Sequence, residues 1–151
     1  MAANTNPIFG RTPDIQVGGA VLGPTAVTAQ DGTGATPIIF MADETEGGWV
    51  DRIILKSVGS PAATVARIFF CTSTVAAGSF TPGTTNTAAN TSMLAEASLA
   101  VTTSSNLVAQ NDTVIPVRMA IPAGMKLLIG FGTSTGAAGT GYAVTVVGTK
   151  Y

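Results

Sequence analysis

"WVDRIILKSV", residues 49–58, carries the clearest structural signal in the chain. Ile53 and Leu55 face one way, Arg52 and Lys56 the other, and a two-residue period of this kind belongs to a strand with one buried face. The pattern continues on both sides. Upstream, "AVTAQ" (26–30) and "PIIFM" (37–41) bracket the turn-rich "DGTGAT". Downstream, "GSPA" turns the chain into the β-branched and aromatic "TVARIFFC" (64–71). Then come "SMLAEASLAV" (92–101), "TVIPVRMAI" (113–121), "MKLLIGF" (125–131) and "GYAVTVVGTKY" (141–151). Of these, "SMLAEASLAV" is the one with a helical competitor. Its Met93, Leu94, Ala97 and Leu99 make no stripe at helical spacing, so it reads as a strand. "PAG" (122–124) is a tight connection and predicts that the strands on either side pair as a hairpin. About eight short strands with Gly and Pro turns describe an all-β sandwich, jelly roll or barrel, with Ile53, Leu55, Phe69, Leu127 and Val144 in the core.

At 151 residues the chain suits one domain with a real core. Its net charge of -1 supplies no basic field for nucleic acid or anionic lipid. Only 10% of residues are charged, where a soluble domain has about 25%. Thr, Ala, Ser and Gly take their place. Two readings follow: a hydroxyl-rich β surface, or a subunit partly covered by neighbours, because interface cores are depleted in charge. No apolar run approaches the roughly 20 residues of a membrane span, and "MAANTNPIFG" lacks the charged and apolar regions of a secretory leader. Neither a membrane nor a nucleic acid is an expected partner.

Chemistry is hard to find. The chain contains no His, which removes the imidazole base, the Ser-His-Asp relay and the commonest metal ligand. Cys71, the single cysteine, lies in an apolar run and reads as a buried structural thiol with no His to activate it. Asp43, Glu44 and Glu46 form the one carboxylate cluster; a solvated loop explains it better than a weak Ca²⁺ site. "DGTG" (31–34) and "GFGTSTG" (130–136) miss the phosphate-loop and dinucleotide patterns. Asn90-Thr91-Ser92 and Asn111-Asp112-Thr113 are the sequons that a Thr-rich chain generates by chance. Trp49 and Tyr142 are the two aromatics that could meet a sugar ring, although core or interface packing is the commoner fate of rings at strand starts. No catalytic residue, cofactor or metal is expected, and the chain does not read as an enzyme.

Two segments fit no regular element. "NPIFGRTPDIQ" (6–16) is stiffened by Pro7 and Pro13, yet carries the apolar Ile8 and Phe9. The chain therefore divides into an extended N-terminal arm, 1–19, and a β-sandwich domain, 20–151. "STVAAGSFTPGTTNTAAN" (73–90) exceeds the roughly 12–15 residues of an ordinary connection.

Taken in order, "NPIFGRTPDI", "DGTG", "WVDRIILKSVG", "ARIFF", "IPAGMKL" and "YAVTVVGTKY" resemble a group of small tailed-phage structural proteins. The resemblance spans most of the chain, and the segment 73–90, longer than expected at its place, is where the chain departs from it. It implies a jelly-roll-like antiparallel β-sandwich on the virion exterior, a capsid decoration (cement) protein that binds the major capsid protein and associates as a homotrimer. Such a protein is made in the bacterial host cytoplasm. Alternatives are a minor tail, fibre or adaptor component and a small carbohydrate-binding module. On this resemblance the arm is a clasp: Asn6, Pro7, Ile8, Phe9, Arg11 and Pro13 would lie across a neighbouring subunit, with the apolar pair in pockets and Arg11 at the rim. The competing possibility is a lid over its own sandwich.

Overall fold

The computed structural model of the chain describes residues 10, 12–22, 26–33, 38–73, 86–107, 109–110, 112–136 and 138–151, with the backbone alone for 18–22. Eight strands account for the fold: β1 (Thr12–Leu22), β2 (Ile38–Met41), β3 (Gly48–Val58), β4 (Thr64–Cys71), β5 (Thr91–Leu99), β6 (Thr113–Ile121), β7 (Lys126–Phe131) and β8 (Gly141–Lys150). They form two four-stranded sheets, ordered β1-β8-β3-β6 and β2-β7-β4-β5, and every pairing is antiparallel. Successive strands cross from one sheet to the other except at β4 and β5, which pair directly. This is the jelly-roll arrangement. The segment 92–101 is indeed a strand, since β5 covers most of it.

Two expectations need correction. Pro122-Ala123-Gly124 does not close a hairpin: β6 lies in the first sheet and β7 in the second. All six residues of β7 are buried, so the strand needs cover on both faces and takes an interior place between β2 and β4. The short connection is a corner between sheets. Gly124 adopts φ 71° there, and its N–H donates to the Asp43 carbonyl at 2.9 Å, tying it to the neighbouring β2–β3 corner.

Residues 26–30 are not a strand; 26–29 are irregular, although the Val27 N–H donates to the Phe131 carbonyl at 2.8 Å. The eighth strand is β1 instead, so the sheet takes in Thr12–Gly19, a segment read as arm. It pairs Pro13 with Thr149, Ile15 with Val147 and Val17 with Thr145. Pro13 and the register shift between Val17 and Gly19 masked this strand in the sequence, and an edge strand tolerates both. Of the residues assigned to the clasp, Asn6, Pro7, Ile8, Phe9 and Arg11 lie outside the described residues.

All five residues expected in the core are buried, divided between two clusters. Ile53, Leu55, Leu127 and Val144 sit in the main core between the sheets. Phe69 is equally buried but on the outer side of the second sheet, in a small cluster with Ile38, Cys71 and Leu128. Strand alternation demands this, because Ala66 and Ile68 occupy the inner face. Segments from either side of the sheet help close this outer face. Arg67 donates to the Val27 carbonyl at 2.8 Å and to Glu96 Oε1 at 2.8 Å, and Asn86 is buried against the Cys71 thiol.

Candidate interaction face

Among the described residues, the outer side of the first sheet is uncovered along much of its length. The registers align Ile15, Val147, Arg52 and Pro116 in one row, and Val17, Thr145, Ile54 and Val114 in the next. A third row runs Pro13, Thr149, Trp49 and Ala120. Ile15 is 64% exposed, Val17 68%, Val114 52% and Trp49 37%. Isolated exposed apolar residues mean little, but rows of them across four strands make a patch of the kind that marks interaction surfaces.

Two of its cations have acidic partners. Arg52 contacts Asp51 at 2.6 Å, and Lys56 lies 3.5 Å from Asp112. The patch offers apolar contact and shape more than charge. The edges of the same sheet are blunted. β1 carries Pro13, β6 carries Pro116, and Arg118 in β6 adopts φ 50°, which breaks the regular extended edge. The sheet therefore offers its face rather than an edge open to strand addition.

A bulge shapes the face. Asp51 is the extra residue between Val50 and Arg52, where the pairing with β8 shifts register. Gly148 stands opposite, and a Cβ there would overlap the carbonyl oxygen of Trp49. The absent side chain lets the two backbones approach, and the shift places Trp49 on the outer face while Val50 and Ile53 remain inside.

Trp49 and Tyr142 do not form a shared aromatic site. Trp49 is paired with Thr149 on β8, seven positions from Tyr142, or roughly 24 Å along a strand at 3.4 Å per residue. Tyr142 points inward, 4% exposed, so its ring is no platform for a sugar. Beside it, a cavity of about 300 Å³ opens under the β5–β6 connection, lined among others by Leu55, Ser57, Leu99, Thr102, Gln110 and Tyr142. Ser57 donates to Gln110 Oε1 across this wall. The lining carries no ionisable acid or base apart from the tyrosine.

The acidic cluster is a turn cap. The N–H and hydroxyl of Thr45 donate to Asp43 Oδ1 at 2.9 and 2.7 Å, and the Glu46 N–H donates at 3.1 Å. These bonds, the Thr45 backbone first, hold the Asp43 carboxyl down at about 2. Asp31 repeats the device with Thr33 at 2.9 and 2.7 Å, and its carboxyl is lowered for the same reason. Both occur as Asp-x-Thr, a sequence suited to local side-chain capping.

The exposed face was missed by sequence reasoning, although a signal exists. Ile54 and Val114 put apolar side chains at positions where alternation calls for polar ones. The fold and this face define a jelly-roll protein with an open apolar sheet surface. Comparison of the chain with protein-family models, with curated proteins and with solved structures finds no match.

Proposed function

We propose that this protein decorates the exterior of a tailed-phage capsid, docking on the major capsid protein and on copies of itself, as a homotrimer, to stabilise the shell. The observation that carries this reading is the apolar outer face of the first sheet, with two of its cations paired and its edges blunted. The jelly-roll topology agrees with what the sequence resemblance implies.

The size of the face suits such a role. Four strands about 4.8 Å apart and some six residues deep span roughly 400 Å². A stable two-body complex buries about 800 Å² per partner. One face alone therefore gives a modest contact. Repetition over a shell multiplies it through avidity, and a ligand that binds only assembled subunits shifts the balance toward the intact particle.

The test is copy counting by mass spectrometry on purified particles, with binding of the isolated protein to emptied shells. Hundreds of copies and saturable binding support decoration. A few copies located at the tail would replace it with the tail or fibre alternative, and absence from particles would overturn both.

A further inference from the structure

Lys126 opens β7 and Cys71 closes β4, and the register sets them directly opposite each other. Both lie on the outer side of the second sheet, beside Phe69 and Leu128, and both are fully buried. Among the described residues the Lys126 amine has no hydrogen-bond partner. A buried, unpaired ammonium is strongly unfavourable, so its surroundings should contain an anion or leave the amine neutral.

No carboxylate serves. Asp51, Glu96 and Asp112 hold Arg52, Arg67 and Lys56. Asp31 and Asp43 cap turns, Asp14 accepts from Gln16, and Glu44 and Glu46 stand exposed on the turn after Asp43. The ionisable group that acts on Lys126 is the Cys71 thiol. Its sulfur lies 3.1 Å from Ser73 Oγ, 3.5 Å from Asn86 Oδ1 and 3.7 Å from Asn90 Oδ1. Burial pushes the thiol up, but hydrogen bonds from Ser73 and Thr91 and the charge of Lys126 together bring it below its ordinary value. Burial drives Lys126 down, with the thiol opposing. The two groups face each other across the β4–β7 ladder and both sit below their ordinary values, the thiol through its bonds from Ser73 and Thr91 more than through the charge of Lys126.

We propose that Cys71 and Lys126 are a redox-modifiable couple, which a peroxide closes into a covalent S–N bridge between β4 and β7. The thiolate sulfur attacks one oxygen of hydrogen peroxide, the O–O bond breaks, and hydroxide leaves and takes up a proton as water. Sulfur is oxidised by two electrons to the sulfenic acid while the peroxide is reduced. The Lys126 nitrogen then attacks sulfur, the S–O bond breaks, and hydroxide departs with the proton released from nitrogen as a second water. The protein loses two hydrogen atoms in total, as in other condensations of sulfenic acid with nitrogen. The bridge fastens the root of the 73–90 segment to a central strand.

The experiment is peroxide treatment of the folded protein, followed by intact-mass measurement and tryptic mapping without reductant. The expected product is about 2 Da lighter, resists cleavage after Lys126, joins the Cys71 and Lys126 peptides, and returns to its starting mass with dithiothreitol. Lys126→Met, which keeps the bulk and removes the amine, should give no lighter product. Oxidation of Cys71 without a link to Lys126 overturns the proposal, as does an unmodified Cys71 once the exposed Met93 is oxidised. Should Lys126→Met not fold, the wild-type map alone decides by these outcomes.

Discussion

The ring of Tyr142 on β8 stacks on that of Phe131 on β7, with centroids 5.5 Å apart and planes 14° from parallel. The contact bridges the two sheets and locks the tyrosine in the core, yet its hydroxyl has no hydrogen-bond partner among the described residues. Tyr142→Phe keeps the stack and removes a buried unsatisfied group. Urea unfolding should show stability unchanged or raised by up to about 1 kcal/mol, whereas Tyr142→Ala should lose roughly 3–5 kcal/mol. Burial also raises the Tyr142 hydroxyl above 10.0, so the folded state favours the neutral phenol. That preference is fully present below the unfolded value and is lost as pH climbs through the raised one.

Gly148→Ala tests the bulge. A methyl at that position overlaps the Trp49 carbonyl oxygen, a backbone atom that cannot swing aside. Elsewhere in a strand, glycine to alanine tends to stabilise; here it should cost roughly 1–3 kcal/mol, the usual penalty of overpacking, read from the urea midpoint.

Asp43 sets an acid limit on its corner. Its folded value of about 2 lies below the ordinary 3.8, so its bonds to Thr45 and Glu46 stabilise the fold above the unfolded value and are lost as pH falls through the folded one. The melting temperature of the wild type should drop between about pH 4 and pH 2, and Asp43→Asn should flatten that part of the profile. A carboxyl titration by NMR should place the Asp43 midpoint near 2.

Val17→Lys with Val114→Lys separates surface from scaffold. Both side chains are exposed in the outermost strands of the first sheet, so stability should change by no more than about 0.5 kcal/mol per site. Binding to shells, and association followed by light scattering, should weaken at least about tenfold, because two charges would be desolvated in an apolar contact. Ser98→Lys, on the exposed side of β5 in the other sheet, should leave both measurements unchanged.

Much of this architecture is local and legible. Alternation in 49–58 identifies β3 because each step along a strand reverses the side chain, and the same rule finds β4 and β8. Rejecting a helix for 92–101 needed only the spacing of four apolar residues. The absence of His and the scarcity of charge already point from chemistry to surfaces. β1 escaped because Pro13 and Gly18-Gly19 resemble a linker when the strand's edge position is unknown.

Partnership and facing were decided by the tertiary structure. Pro122-Ala123-Gly124 reverses the chain whether it joins paired strands or two sheets, and only the need to cover both faces of β7 selects the corner. Trp49 and Tyr142 look alike in the sequence, each an aromatic at the start of a strand. The register, shifted by the bulge at Asp51, puts one outside and the other within. Cys71 and Lys126 are separated by two whole strands and the long connection, and no periodicity links them. They meet because β4 and β7 are neighbours in the second sheet. Local alternation determines which residues share a side of one strand. Long-range pairing, set by how the sheets bury their combined apolar surface, determines what each side faces.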